Sequence, residues 1–336
     1  MPLSSSTSSS NAGACGGSGA RALWKLLRNG LLLLVLLFVL DRALGALAEH
    51  WFLKTRDGDT GETTNALLEN KSAVVVFGDS RAESHYVPAK ISAALGASAF
   101  NAGFKGSNTI YDFGLQQLIF DHYTPRLIIL DFSAYSLMKT RDNPYNRLEP
   151  LYPYWRDPAV WRVIDSGDWK QRLTFFSRLY PYNSKIHSIV MFNFMAHRPH
   201  AADGFEPQFG VMGNRPLEPL DRRPVTYSDD LTAYLERFLV SAHDHGVPVV
   251  IVQSPRHAPG SFALPLLIKQ RVDEFAIPVI DFDIATYPQF ADHRLYRDPS
   301  HLNDTGAEQF SELLGSKLCE MYCEALRQPP ETAAAR

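Results

Sequence analysis

The chain has 336 residues, enough for one large domain or two small ones with a substantial core. Its 33 basic and 36 acidic residues leave a formal charge of −3, which gives no electrostatic case for a nucleic-acid partner. Three cysteines, Cys15, Cys319 and Cys323, are too few for a disulfide scaffold. The histidines show no His-x-x-x-His spacing and no Cys-x-x-Cys accompanies them, so neither a metal nor a cofactor is expected.

Residues 1–20 are Ser, Gly and Ala without apolar periodicity and read as a disordered tail. Residues 21–48 carry Arg21, Lys25 and Arg28, then an apolar run from Gly30 to Leu40 that Asp41 and Arg42 interrupt before it resumes to Ala48. Crossing a hydrocarbon core of about 30 Å takes about 20 residues, which only the longer stretch, 30–48, approaches. Two readings follow. One is a signal peptide cleaved after Ala46-Leu47-Ala48; the other is an uncleaved anchor with Asp41 and Arg42 near the outer interface or facing a membrane partner. The tail before the apolar run is long for a signal peptide, which favours the anchor. The basic flank leaves the N-terminus in the cytoplasm and the rest outside it, as in a single-pass inner-membrane protein with a periplasmic domain. Residues 49–71 are polar and turn-rich, a linker.

From 72 to 327 strands and helices alternate. Val74–Phe77, then 97–101, 126–131, 247–252 and 277–281, are short apolar runs bounded by turn residues, the pattern of buried parallel strands. Helices are expected at 89–95, 110–121, 229–245, 265–275 and from Asp304 onward. The last is capped by Asn303 or Asp304, with Phe310, Leu313, Leu314, Leu318 and Met321 inward. The fold class is α/β, a three-layer, flavodoxin-like domain around a five-stranded parallel sheet. Cys319 and Cys323, one helical turn apart, are expected as two small packing residues. Residues 328–336 read as a second tail.

An insertion at about 140–228 breaks the alternation and is dense in aromatic residues, among them Tyr152, Tyr154, Trp155, Tyr180 and Tyr182. Placed between the third and fourth strands, it would cover the carboxyl edge of the sheet as a lid. Its aromatics either stack on sugar rings or fill the insertion's own core, and Phe192, Phe194 and Met195 read as such a core. His197, His200, His243, His245 and His257 are most simply solvated.

Two stretches carry chemistry. Gly78-Asp79-Ser80 closes the first strand, where a glycine permits a sharp turn and a serine would stand at the carboxyl edge of the sheet. Asp298-Pro299-Ser300-His301 precedes the last helix. A serine nucleophile needs a base within hydrogen-bond reach, and the base needs a carboxylate to fix its tautomer. In this order the two stretches resemble the SGNH (GDSL-like) hydrolase family.

That resemblance implies Ser80 as nucleophile, His301 as general base and Asp298 as its orienting acid. It implies an oxyanion hole from the backbone N–H groups of Ser80 and Gly106, the latter in the turn after Asn101; a plain turn role for Gly103 and Gly106 also fits the residues. The family's third donor, an Asn, is missing from Asp131-Phe132-Ser133-Ala134-Tyr135-Ser136, where Ser133 or Ser136 would substitute. One lost donor costs about 2.7–4 kcal/mol of transition-state stabilisation. Similar variation marks members that resemble D-alanyl-transfer and polysaccharide O-acetylation proteins, which implies an O-acetyltransferase acting on a polysaccharide. A carbohydrate esterase is the alternative. A third reading is an accessory subunit of a membrane-bound O-acyltransferase, met through Asp41 and Arg42. Arg81 would meet an anionic donor or sugar carboxylate, or simply pack; His85 would line the site or sit on the surface.

Overall fold

The structure, a computed structural model, describes residues 17–56, 63–167, 169–195, 203–217 and 226–328. Strand β1 (Val74–Phe77) is buried at every position, which requires cover on both faces and a neighbour on each side. It pairs in parallel with β2 (Ala99–Asn101) and with β3 (Leu127–Asp131); β4 (Val249–Gln253) and β5 (Val279–Asp281) follow, in the order β2-β1-β3-β4-β5. This is the three-layer, five-stranded parallel architecture expected from the sequence. The last two strands start two residues later than their apolar runs. Pro248 and Pro278 explain the delay: lacking an N–H, each enters the ladder only as an acceptor, from Ile128 and Ile251 respectively.

Alternate residues of each strand serve opposite cores. Val75, Phe77, Ile128, Leu130, Val249 and Ile251 face one, while Val74, Val76, Leu127, Ile129, Val250 and Val252 face the other.

The helices in order begin with α1 (Gly17–Phe52), long and apolar enough to cross a membrane, and α2 (Thr63–Asn70). Helix α1 extends past both expected ends of the anchor, and residues 1–16 lie outside the described residues. The expected linker 49–71 is in its described parts no tether. Phe52 and Leu67 are buried in the first core, and the Asn65 amide donates to the carbonyls of Phe52 (2.8 Å) and Thr55 (3.0 Å). Residues 57–62 lie outside the description.

Next come α3 (Ser80–His85), α4 (Pro88–Leu95), α5 (Thr109–His122), α6 (Pro158–Asp165), α7 (Trp169–Thr174), α8 (Ile186–Phe194), α9 (Asp229–Asp244), α10 (Leu266–Glu274) and α11 (Asp304–Arg327). Residues of α5, α9 and α10 cover the first face, and α4 and α11 the second. Asn303 caps α11 through the Gly306 N–H (3.0 Å). Two expectations on α11 are corrected. Met321 is exposed rather than inward, and Cys319 and Cys323 form a disulfide, since side chains four apart share one helix face.

The aromatic insertion takes the core-filling role of its two readings, in a core it shares with α5 and α1 rather than one of its own. Gly114 leaves a hollow on α5 that Leu151 enters, and Tyr152, Tyr154, Phe175 and Tyr182 are buried in the core that α5 shares with the end of α1. Phe52 of α1 meets the rings of Tyr154 (5.7 Å) and Tyr182 (5.8 Å). These aromatics are structural. Phe194 and Met195 are exposed, not core. What laces the site side is the stretch 203–212, through Asp203 O to Asn101 N (2.8 Å), Glu206 N to Glu83 O (3.1 Å) and Met212 N to Tyr296 O (2.8 Å).

Phe310 is fully buried beneath this edge, with ring contacts to Tyr86 (5.1 Å) and Phe282 (5.0 Å). Phe310→Ala should cost about 3–5 kcal/mol in denaturant unfolding of the detergent-solubilised chain. A loss below about 1 kcal/mol would show that α11 is not seated as described.

Candidate active site

Gly78 has a φ of 139°, and an added Cβ would lie 2.9 Å from Ala82 and 3.0 Å from the Asp131 carbonyl. The chain therefore turns from β1 directly into α3, a helix not among those expected, and Ser80 becomes its first residue. Asp79 caps it by accepting from the Arg81 N–H (2.9 Å). With strand order 2-1-3-4-5, this turn lies where the sheet reverses direction, beside the end of β3, the usual place for a ligand.

The partner comes from a two-stranded hairpin that the sequence did not suggest, β6 (Tyr296–Asp298) and β7 (His301–Leu302). Asp298 closes its turn by accepting from the N–H groups of Ser300 (2.9 Å) and His301 (3.1 Å). Both its carboxylate oxygens lie 3.0 Å from His301 Nδ1, and His301 Nε2 is 2.8 Å from Ser80 Oγ. A carboxylate only accepts, so Nδ1 carries the proton and Nε2 offers its lone pair to the serine hydroxyl. Burial pulls the Asp298 pKa upward, but the Ser300 N–H, the His301 charge and the further bonds to His301 outweigh it and hold the carboxyl below its usual range. Ser80, His301 and Asp298 thus form one hydrogen-bonded chain at the sheet edge.

Beneath it lies a buried bracket. His85 is wholly inaccessible; its Nδ1 lies 3.0 Å from Ser254 Oγ, and its Nε2 accepts from the Leu302 N–H at 2.9 Å. Burial first, then the charges of Arg81 and His301, push its pKa well below the usual value, so it is neutral. Arg81, also buried, donates to Ser254 O (2.5 Å) and Oγ (2.6 Å), with Nε 3.7 Å from Asp131. Asp131 accepts in turn from the Tyr86 hydroxyl (2.7 Å) and the Ser254 N–H (3.2 Å).

These contacts place three of the candidate residues away from open surface, Arg81 in the packing role that was one of its two readings. His85 and Arg81 are both buried, and each ties α3 to neighbouring loops. Ser133 is buried, and its Oγ caps a short 3₁₀ turn at Ala134–Leu137 through the Tyr135 N–H (3.3 Å), while Ser136 donates to the Ser133 carbonyl (2.6 Å). Gly106 is exposed at a φ of 73°, in the left-handed region a glycine favours. Asn101 holds the end of α3, its amide reaching the carbonyls of Ala82 (2.7 Å), Glu83 (3.2 Å) and Tyr86 (2.8 Å).

Arg256 and Asp112 went unread in the sequence, and His257 was read as solvated. Arg256 is buried after β4, stacked 4.1 Å over Phe262 and bonded to Gly260 O (3.2 Å); burial, reinforced by the Arg81 charge, lowers its pKa to about 10. His257, buried rather than solvated, donates its N–H to Pro299 O (3.0 Å) and so fastens the β4 loop to the hairpin turn. Asp112 on α5 is pushed well above the carboxylate range by burial and then by the Asp79 charge. His243 and His245 stack on Phe275 and Phe120, each at 4.1 Å, and His197 and His200 lie outside the described residues.

No family model and no curated protein matches the chain. Among solved structures, an acetyl xylan esterase, AlAXEase, aligns over 74% of this chain and 98% of its own, at 12% identity and a TM-score of 0.34. The chemistry of the site is read from its own geometry.

Below about pH 6.5 an unfolded His85 binds a proton that the folded one, with its depressed pKa, still refuses. Stability is therefore full above that pH and falls as pH falls toward the folded value. Thermal unfolding from pH 7.5 to 5 should lose stability more steeply for the native chain than for His85→Gln. Parallel profiles would show that His85 is not held neutral.

Proposed function

We propose that this chain is an acyl-transfer enzyme of the SGNH type that works through an acyl-Ser80 intermediate. The observation that carries the proposal is the unbroken chain Ser80 Oγ, His301 Nε2, His301 Nδ1, Asp298 at the switch point of a parallel sheet. As Ser80 Oγ bonds to an acyl carbonyl, its proton passes to His301 Nε2, and the imidazolium is balanced by the ionised Asp298. The N–H groups of Ser80 and Gly106 are proposed to hold the oxyanion. Collapse expels the leaving group, which takes the proton from His301. The acceptor then gives its own proton to His301 as it attacks the acyl carbon and restores Ser80.

The acceptor we favour is a hydroxyl of a cell-surface or exported polysaccharide, with acetyl as the acyl group. Ser133 is buried, which supports an oxyanion hole without its hydroxyl. An α1 long enough to cross a membrane, and a disulfide typical of oxidising compartments, support a site outside the cytoplasm. Transfer to water, as in a carbohydrate esterase, needs the same first half-reaction. A membrane-bound O-acyltransferase partner would have to be met away from Asp41 and Arg42, because both are engaged within the chain.

The test uses the full chain in detergent, since α1 is part of the packed body. Mixed with p-nitrophenyl acetate, it should gain one acetyl by intact mass, and Ser80→Ala should gain none. Asp298→Asn should slow acylation by about 10³–10⁴-fold. Adduct decay accelerated by oligosaccharide supports the transferase, and decay indifferent to sugar supports the esterase. A native chain that never acylates, from this ester or from an acetyl-sugar donor, would sink the enzymatic reading.

A further inference from the structure

We propose that the apolar face formed by α7, the turn after it and α8 lies in the bilayer leaflet beside α1, so that lipid seats the catalytic body in one fixed orientation. The proposal rests on the membrane-anchored reading of α1.

The starting point is a shortfall. The uncharged stretch between Arg28 and Asp41 gives about 18 Å of helix, against a hydrocarbon core of about 30 Å. A bilayer of ordinary thickness must therefore reach past Asp41 and Arg42, or local apolar surface must make up the difference. The chain prepares for both. The Asp41 carboxylate accepts from the Ser177 hydroxyl and from the N–H groups of Arg178 (2.9 Å) and Leu179 (3.3 Å). Arg42 donates to the Phe176 carbonyl, lies 3.6 Å from Asp41 and sits over the rings of Phe38 (4.7 Å) and Phe176 (5.6 Å). Both charges are met within the chain, the condition under which ionisable groups survive at membrane depth.

Beyond the pair, α1 divides into two faces. Gly45 and Phe52 pack on the body, Gly45 so closely that a Cβ would lie 2.6 Å from the Arg178 backbone. Leu44 and Leu47 turn away and stay about half exposed (48% and 55%). The apolar surface then continues onto the body itself. Phe176, 72% exposed, lies beside Phe38 with ring centroids 6.3 Å apart, and Leu173 and Trp169, on the helix before it, are 64% and 61% exposed. On α8, Ile186, Val190 and Phe194 form an exposed stripe at four-residue spacing, and Phe194 meets Trp51 of α1 at 4.5 Å. A largely apolar recess of about 490 Å³, lined by Leu34, Val35, Phe38 and Phe176 together with Asp41, Arg42 and Ser177, opens between helix and body and suits an acyl chain.

An exposed apolar surface of this extent in water is a liability, whereas one continuous with a membrane-crossing helix has lipid against it. Tilt of α1 would bring the α7 and α8 ends of the face to the bilayer together. Arg172, paired with Asp165 at 2.5 Å, and Trp51, with Lys54 over its ring at 4.8 Å, suit the headgroup layer.

The test places a nitroxide on the full chain in phospholipid nanodiscs, in a Cys15→Ser background, at Leu37→Cys, Leu173→Cys, Phe176→Cys, Val190→Cys and, on the opposite side of the sheet, Ser316→Cys. Relaxation by oxygen is compared with relaxation by a water-soluble nickel chelate. The expected result is that 173, 176 and 190 follow 37, several-fold more accessible to oxygen than to the chelate, while 316 does the reverse. The proposal is overturned if 37 is lipidic but 173, 176 and 190 behave like 316. It is equally overturned if those three are closed to both agents, which would mean a protein covers them. If 37 itself behaves like 316, the anchored reading falls and takes this one with it.

Discussion

The hydrogen bond from the Leu302 N–H to His85 Nε2 is the contact on which the candidate site depends. Ser80 and His301 lie 221 positions apart in the chain and arrive on unrelated elements, the first turn of α3 and a two-residue strand. Neither element is stable alone. Helix α3 is a turn and a half, below the length at which a helix persists in water, and an isolated hairpin of this size does not persist either. The two are fixed by each other. His85 closes the last turn of α3, and the backbone it binds is one residue from His301. Because His85 is neutral and buried, the bond is undiluted by solvent, and a shift of α3 would break it outright.

Charge is used beneath the site for position. Arg81 and Asp131 are both desolvated, and their separation of 3.7 Å is no close ion pair. Removing one partner would leave a buried charge, a loss of about 3–5 kcal/mol, so the arrangement is far costlier to break than it is worth as an attraction. What it secures is register. Arg81 follows Ser80 directly, Asp131 ends β3, and Ser254 follows β4, so one guanidinium fixes the helix that begins at Ser80 to two strand ends at once. The tie from His257 to Pro299 does the same for the hairpin turn.

Much of this was legible in the sequence, and unevenly so. The five strands were readable because each is a short apolar run with a defined end, and Gly78-Asp79-Ser80 and Asp298-Pro299-Ser300-His301 each hold most of their geometry locally. Gly78 makes the turn, and Asp298 binds the backbone of the two residues before and at the histidine. The ties among His85, Arg81 and Ser254 were not readable, because the partners are far apart in the chain; His85 and Arg81, close after Ser80, invite a reading as substrate contacts. The aromatic insertion was readable only in part, since core filling was one of its two readings but the location of that core was not. Its position between strands suggested a lid, but where it packs depended on Gly114 on α5 and on the end of α1, features with no local signature. Asp41 and Arg42 were conspicuous as charges in an apolar run, and only the fold reveals that the turn at 176–179 satisfies them.

That last point changes what α1 is. A flexible tether would leave the body free to turn relative to α1, and the site would sample every direction. Here Gly45, Glu49 and Phe52 follow Asp41 down one face of the same unbroken helix, and Glu49 meets Arg178 at 2.9 Å and Arg156 at 2.5 Å. A helix carries direction rigidly over such a length, so the angle at which α1 stands sets the angle at which the sheet stands. The carboxyl edge with Ser80 then faces a constant direction relative to the helix. For a catalyst whose donor or acceptor is itself held near a surface, fixed orientation replaces a search over rotations that would otherwise oppose each encounter.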